Sequence, residues 1–176
     1  MSANPDRDRI EHPPGLAIMQ ELKHAGIEFI VSVPDIVTSD GLLWPIAQDA
    51  DFRLVRVCKE DEGVSICAAM SYNDTRALLL MQQTGLMDSL NAIRAIGMDY
   101  RLPVCMMVGL QGKEPELRSA DSASYGVRIV EPVLDAMQIA HRAIEDPRDV
   151  QGIAGDIEEA YRSSSPFVFL VGRSPV

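Results

Sequence analysis

A chain of 176 residues with 47% apolar and 24% charged side chains has the size and composition of one soluble domain, large enough to bury a core without a disulfide or metal staple. Its formal net charge of -10 repels polyanions and no Lys/Arg stripe offsets it, which argues against nucleic-acid binding. No apolar run reaches the ~18–20 residues that cross a bilayer, and three cysteines without a C-x-x-C pair, together with three scattered histidines, argue against a disulfide framework and a protein-held zinc site and suit reduced thiols in a cytoplasm.

The polar opening, Met1 to His12, is followed by no hydrophobic stretch and reads as a flexible arm rather than a secretory signal. Residues 13–176 read as one domain. Pro13 and Pro14 precede a helical pattern over 15–25, where a missing N–H costs nothing. Gly26, after Lys23-His24-Ala25, is a C-cap with cations near the negative end of the dipole. A strand pattern over Phe29–Val33 leads to a helix over 39–48, with Ser39 as its cap. Strand Arg53–Val57 is followed by a helix over 60–73, and strand Ala77–Met81 by a helix over 87–99. Pro103 ends that helix before strand Val104–Val108. Gly109–Gly126 is the one long irregular stretch, and loops of that length in compact domains carry function or move. A helix over 130–138, the weakest strand pattern at Ala140–Ile144, a helix over 150–163 capped by Asp149, and strand Phe167–Val171 complete the chain.

Ala77-Leu-Leu-Leu-Met81 and Val104-Cys-Met-Met-Val108 are apolar on both faces, which only a sheet covered on both sides tolerates. Regular alternation with helices predicts an α/β fold, a doubly wound, mostly parallel six-stranded sheet with helices on both faces. Such sheets bind ligands at the carboxyl ends of their strands. That rule nominates Ser32-Val-Pro-Asp35, Cys58-Lys-Glu-Asp-Glu62, Gln82-Gln-Thr-Gly85 and Gly109-Leu-Gln-Gly112.

Each nominee has a plain and a functional reading. The acids Glu60-Asp61-Glu62 offset the positive end of a helix dipole; alternatively, Glu60 aims into the crevice and shares a proton with a ligand nitrogen. Gln83-Thr-Gly-Leu86 is a strand-to-helix turn capped by Thr84; alternatively, Gly85 lets the backbone approach a flat ligand. Cys58 lies beside Lys59 but has no histidine near in sequence to act as its base. Gly109-Leu-Gln-Gly-Lys113 is too short for a phosphate loop, and Glu114 stands where such a loop needs Ser or Thr.

Lys59-Glu-Asp-Glu-Gly-Val-Ser-Ile-Cys-Ala-Ala69 resembles the "E-G/E-E-A/G-V-x-I-x-A-G" segment of the phosphonopyruvate and sulfopyruvate decarboxylases. At the expected distance, Ala77-Leu-Leu-Leu-Met-Gln-Gln-Thr-Gly-Leu86 resembles their "L-M-Q-N-S-G-L". Asp88-Ser-Leu-Asn-Ala92 is similar to "N-S-x-N-A", and Val33-Pro-Asp35 to "G-V-P-D". Glu131-Pro-Val-Leu-Asp135 and Pro166-Phe-Val-Phe-Leu-Val171 fit the same domain's end, so the likeness spans about residues 13–173.

The resemblance implies the pyrimidine (PYR) domain of a thiamine-diphosphate-dependent 2-oxoacid decarboxylase, on a separate alpha subunit. Glu60 is then catalytic, bonding N1′ of the coenzyme's aminopyrimidine and favouring its imino tautomer. Gln83, Thr84, Gly85 and Leu86 line the pyrimidine pocket, and Asp35 faces substrate. Diphosphate and Mg2+ fall to a beta subunit carrying a Gly-Asp-Gly…Asn motif, which this sequence lacks, in a hetero-oligomer with at least two alpha chains. A surface near Met87, Met98 and Tyr100 is then buried between chains, unless those methionines simply fill the core. Ser32, Met87 and Asp88 depart from the family pattern, and Asp88 opposes an acidic substrate unless it caps its own helix. Two alternatives stay open: a non-catalytic α/β binding or regulatory module, and the same coenzyme acting on a different 2-oxoacid.

Overall fold

A computed structural model describes residues 10–176. Six strands, β1 (Phe29–Ser32), β2 (Arg53–Arg56), β3 (Ala77–Gln82), β4 (Cys105–Gly109), β5 (Ala140–Ile144) and β6 (Phe167–Val171), form one sheet in the order β2-β1-β3-β4-β6-β5. Every pairing is parallel, so all six carboxyl ends share one edge. β3 is buried from Ala77 to Met81 and β4 along its whole length, as double-sided apolar runs require. The sheet's edges are more polar. Arg53 and Arg56 are exposed on β2, and on β5 Ala140 is exposed and His141 and Arg142 only partly covered, which is why β5 gave the faintest sequence pattern.

The connections β1→β2 and β3→β4 lead in opposite directions along the sheet. With right-handed crossovers, that reversal sends their helices to opposite faces. One face carries α1 (Gly15–His24), α2 (Trp44–Gln48), α8 (Pro147–Val150) and α9 (Ile153–Ser163), packed on Ile30, Leu78, Leu80, Met107 and Phe169. The other carries α3 (Glu60–Tyr72), α4 (Gln83–Asp88), α5 (Leu90–Ala92), α6 (Tyr125–Arg128) and α7 (Val130–Ala136), packed on Val31, Leu79, Met81, Val108 and Leu170. The loops therefore diverge between β1 and β3, where open α/β sheets form their ligand crevice.

Several boundaries differ from the sequence reading. Gly26, at φ 73°, closes α1 as expected, with the Ile27 N–H donating to Leu22 O. Ser39 is not a cap; the turn before it is held by Asp35, whose Oδ1 accepts the N–H groups of Val37 and Thr38. Ser39–Leu43 has wide π-type turns before α2, because Pro45 lacks the N–H that an α-helix would direct at Gly41. The helix expected over 87–99 starts at Gln83, straight off β3, is interrupted at Ser89 and ends in π-type turns over Ile93–Asp99. Asp149 does not cap the last helix: it accepts the N–H groups of Glu145 and Asp146 at the start of α8. Gly152, at φ 92°, turns the chain into α9. Of the expected arm, residues 1–9 lie outside the described residues, while the His12 ring nitrogen Nδ1 lies 2.9 Å from Ser174 O.

Gly109–Gly126 is irregular but internally bonded. Glu114 accepts from the Ser122 hydroxyl and the Ala123 N–H, which also lowers its carboxyl below the usual range, the Ser122 bond contributing most. Met87 and Met98 are half-buried against the α3–α7 face, whereas Tyr100 is exposed on the single chain.

Candidate active site

The acidic start of α3 separates into three roles. The Glu62 carboxylate reaches back to the N–H groups of Cys58 and Lys59, at 3.1 and 3.4 Å, and so satisfies donors that a helix start leaves orphaned. Asp61 Oδ1 accepts the Glu62 N–H at 3.0 Å. Glu60 does neither. Its side chain is half-buried and lies across Gly85, so close that a Cβ there would stand 2.3 Å from its Cδ, Cγ and Oε1. Among the described residues, nothing bonds or ion-pairs its carboxylate. The plain reading of an acidic first turn thus describes Asp61 and Glu62, while Glu60 is held as a free acceptor between α3 and α4.

Gly85 owes its place to this contact. It lies in helical backbone within α4, and the space above it is filled by Glu60. The other residues of Gln83–Leu86 diverge. The Gln83 side chain is 5% exposed and makes a reciprocal pair with one residue. Its Nε2 donates to Gln111 O and its Oε1 accepts the Gln111 N–H, both at 2.8 Å. Both ends of the amide are thereby satisfied, and β3's exit is tied to β4's. Leu86 is fully buried in the core. Thr84 is exposed, its hydroxyl accepting from Gln82 Nε2 at 3.1 Å.

Asp35 stands at the end of β1 with its carboxylate turned inward. Besides the two N–H groups it accepts the Thr38 hydroxyl, and its Oδ1 lies where a Cβ on Gly109 would be 2.6 Å away. Burial pushes its carboxyl above the usual carboxylate range, against the opposing pull of these hydrogen bonds. The loop after β1 thus lies over the end of β4, and Asp35 fixes it there.

Asp88 does not cap its own helix from the side chain. It is exposed at the end of α4, 3.8 Å from Lys59 Nζ, so its charge is partly offset. Cys58 is exposed, whereas Cys67 and Cys105 are buried on opposite faces of the sheet; burial raises both thiols, that of Cys105 to about 12. The Lys113 ammonium, in the segment that mimics a phosphate loop, is turned inside. It donates to Leu117 O at 2.6 Å and Glu114 O at 3.2 Å, and pairs with Glu145 Oε1 at 2.9 Å. Among the described residues, no group of three or more His, Cys, Asp or Glu could hold a metal ion, and no helix is long and apolar enough to cross a membrane.

The edge rule nominated Gln111 within Gly109–Gly112 without giving it a role, and led to Lys113 and Val37 only as neighbours of nominated segments. Arg173, whose guanidinium bonds Pro115 O, Glu11 O and Glu145 O, carried no sequence signal, since its partners lie up to 162 positions away.

No family model matches the chain. The sulfopyruvate decarboxylase alpha subunit of Methanocaldococcus jannaschii is 30% identical over 125 residues, 70% of this chain and 72% of the relative. That of Methanothermobacter thermautotrophicus is 29% identical over 143 residues, 81% of this chain and 85% of the relative. Among solved structures, the 2-oxoglutarate:ferredoxin oxidoreductase of Magnetococcus marinus matches 99% of this chain with a TM-score of 0.66 at 13% identity. The chain spans about a third, 31%, of that protein's length, and the likeness is one of fold.

Proposed function

Because the chain belongs to the sulfopyruvate decarboxylase alpha-subunit family, we propose that it supplies the pyrimidine-binding half of a thiamine-diphosphate-dependent 2-oxoacid decarboxylase, releasing carbon dioxide and an aldehyde. The observation that carries this reading is Glu60, a half-buried carboxylate lying on Gly85 between α3 and α4 at the sheet's carboxyl edge, with no partner of its own among the described residues. An unpartnered acceptor at that edge fits the ring nitrogen of an aminopyrimidine, which needs a carboxylate to hold a proton at N1′.

Thiamine diphosphate, when bound, supplies the nucleophilic carbon and the electron sink that decarboxylation needs. This chain's residues bind and orient. Glu60 holds the proton at N1′, and Gly85 fixes where that carboxylate stands. Thr84 offers its hydroxyl at the rim. Gln83 and Leu86 act from beneath, one by clamping Gln111 and the other by packing. Asp35 keeps the loop after β1 over the strand ends. Residues 13–176 form the PYR-type domain in this reading.

The diphosphate and its Mg2+ are assigned to a beta subunit, in a cytoplasmic hetero-oligomer with at least two alpha chains. The alpha-subunit names of the relatives support a second chain, and the three free cysteines support a reducing compartment. The Lys59–Asp88 pair keeps an acidic 2-oxoacid compatible with Asp88, whose charge it offsets.

Glu60→Gln tests the proposal in the complex reconstituted with the beta subunit. Loss of a positioned proton-transfer group costs about 10²–10⁴ in rate, so carbon dioxide release falls by at least two orders of magnitude while the circular dichroism spectrum is unchanged. Full turnover in the folded variant refutes the assignment.

A further inference from the structure

A cavity opens on the same carboxyl edge, at the ends of β4 and β6. It encloses about 240 Å3, and its lining includes His12, Val37, Gln111, Lys113, Pro115 and Arg173. Two of these side chains are permanent cations, and they differ. The charge of Lys113 is cancelled by Glu145, and its three N–H bonds are used within the chain. Arg173 has no carboxylate within ion-pair distance among the described residues. Its Nε and Nη2 donate to Pro115 O at 3.1 and 2.8 Å, and its Nη1 to Glu11 O and Glu145 O at 3.1 and 3.3 Å.

Those carbonyls locate the guanidinium without neutralising it, and they use four of its five N–H bonds. The fifth, on Nη2, is left over. In a chain of formal charge -10, a half-buried guanidinium held this way at the wall of a cavity, with no carboxylate in ion-pair distance among the described residues, is a fixed positive charge awaiting an anion.

We propose that Arg173 binds the terminal acid group of the 2-oxoacid substrate, a sulfonate, phosphonate or carboxylate, and so sets specificity for substrates with an anionic tail. This rests on the decarboxylase reading above. The location suits the task. Gln111 lines the cavity and is clamped to Gln83, two residues ahead of Gly85. β6 lies two strands from β3, roughly 10 Å at the usual strand spacing, so the cavity shares the sheet edge on which Glu60 stands. The plain role, that Arg173 merely staples three carbonyls, makes a different prediction in the following test.

Steady-state kinetics of the reconstituted complex are measured with a 2-oxoacid bearing a terminal sulfonate and with pyruvate, which lacks one. Loss of a charged hydrogen bond is worth about tenfold to a hundredfold, so Arg173→Gln raises KM for the sulfonate substrate by that factor. In the same variant kcat falls less than about threefold, and KM for pyruvate stays put. Arg173→Lys, which keeps the charge but not the fork, recovers part of the loss. In wild type, methanesulfonate inhibits competitively against the sulfonate substrate, and Arg173→Gln weakens that inhibition. An equal change for both substrates, or no competition by methanesulfonate in the wild-type complex, overturns the proposal. A wild-type complex that releases no carbon dioxide from any 2-oxoacid refutes the decarboxylase reading and this proposal with it; an active complex indifferent to Arg173→Gln refutes the role of Arg173 alone.

Discussion

Gly85→Ala separates catalysis from folding at the Glu60 contact. The added Cβ would lie 2.3 Å from three atoms of the Glu60 side chain, whereas unstrained carbon contacts sit near 3.5–4.0 Å. The carboxylate must therefore retreat by more than ~1 Å. What must move is the outer part of a flexible side chain, so the fold need not yield. Position 85 is helical, and alanine there is favoured over glycine by roughly 1 kcal/mol. Stability is thus expected unchanged or slightly higher. A misplacement of about 1 Å in a catalytic group costs ~10²-fold, so kcat/KM for carbon dioxide release by the reconstituted complex should drop about a hundredfold while Tm holds within a few degrees. Retention of activity within about threefold, with the same Tm, refutes the idea that the position of Glu60 matters. A collapse of Tm refutes the idea that Glu60 can move aside cheaply.

Two further substitutions probe the loops beside that contact. Gln83→Glu sets a carboxylate against Gln111 O at neutral pH but reproduces the amide's donor and acceptor when protonated, so its folded pKa is raised above the unfolded value. Stability is then near wild type below the unfolded carboxylate pKa and falls as pH rises through the folded one, by about 1–3 kcal/mol for the spoiled buried pair; urea titrations at pH 4 and pH 8 giving equal deficits sink this account. Asp35→Ala orphans the Val37 and Thr38 N–H groups and costs about 1–3 kcal/mol. Asp35→Asn keeps an acceptor oxygen and removes the desolvated charge. Because burial raises the Asp35 carboxyl, wild type loses stability as pH climbs through its folded pKa. The Asn variant should gain on wild type across that interval, and parallel pH–stability curves refute this.

Most of the fold could be read along the chain because local pattern and burial agree. The double-sided runs of β3 and β4 announced a covered parallel sheet, and even the polar edge strand β5 stands where it was expected, over Ala140–Ile144. What escaped depended on distant partners. Gly85 read as a turn because glycine ordinarily breaks helices, whereas its reason is a side chain from another helix pressing on it. Ser39 read as a cap because Asp35, four residues upstream, does not adjoin the helix in sequence. At the site, the sequence and its resemblance already singled out Glu60 from the trio; what they could not show is that Asp61 and Glu62 accept N–H groups around the start of α3 while Glu60 lies on Gly85. The clamp between Gln83 and Gln111 and the carbonyl cradle of Arg173 join segments with no shared pattern, so no reading of one segment reveals them.

The clamp has a consequence for motion. Gln83 welds the exits of β3 and β4, and Asp35 pins the β1 loop across Gly109. The exits of β1, β3 and β4 are thereby one rigid body, able to shift only together and against the buried central strands. Such a frame is shaped before any ligand arrives and has little freedom left to open or shut around one. Gating, and the timescale it imposes on turnover, would then belong to whatever chain closes over this edge.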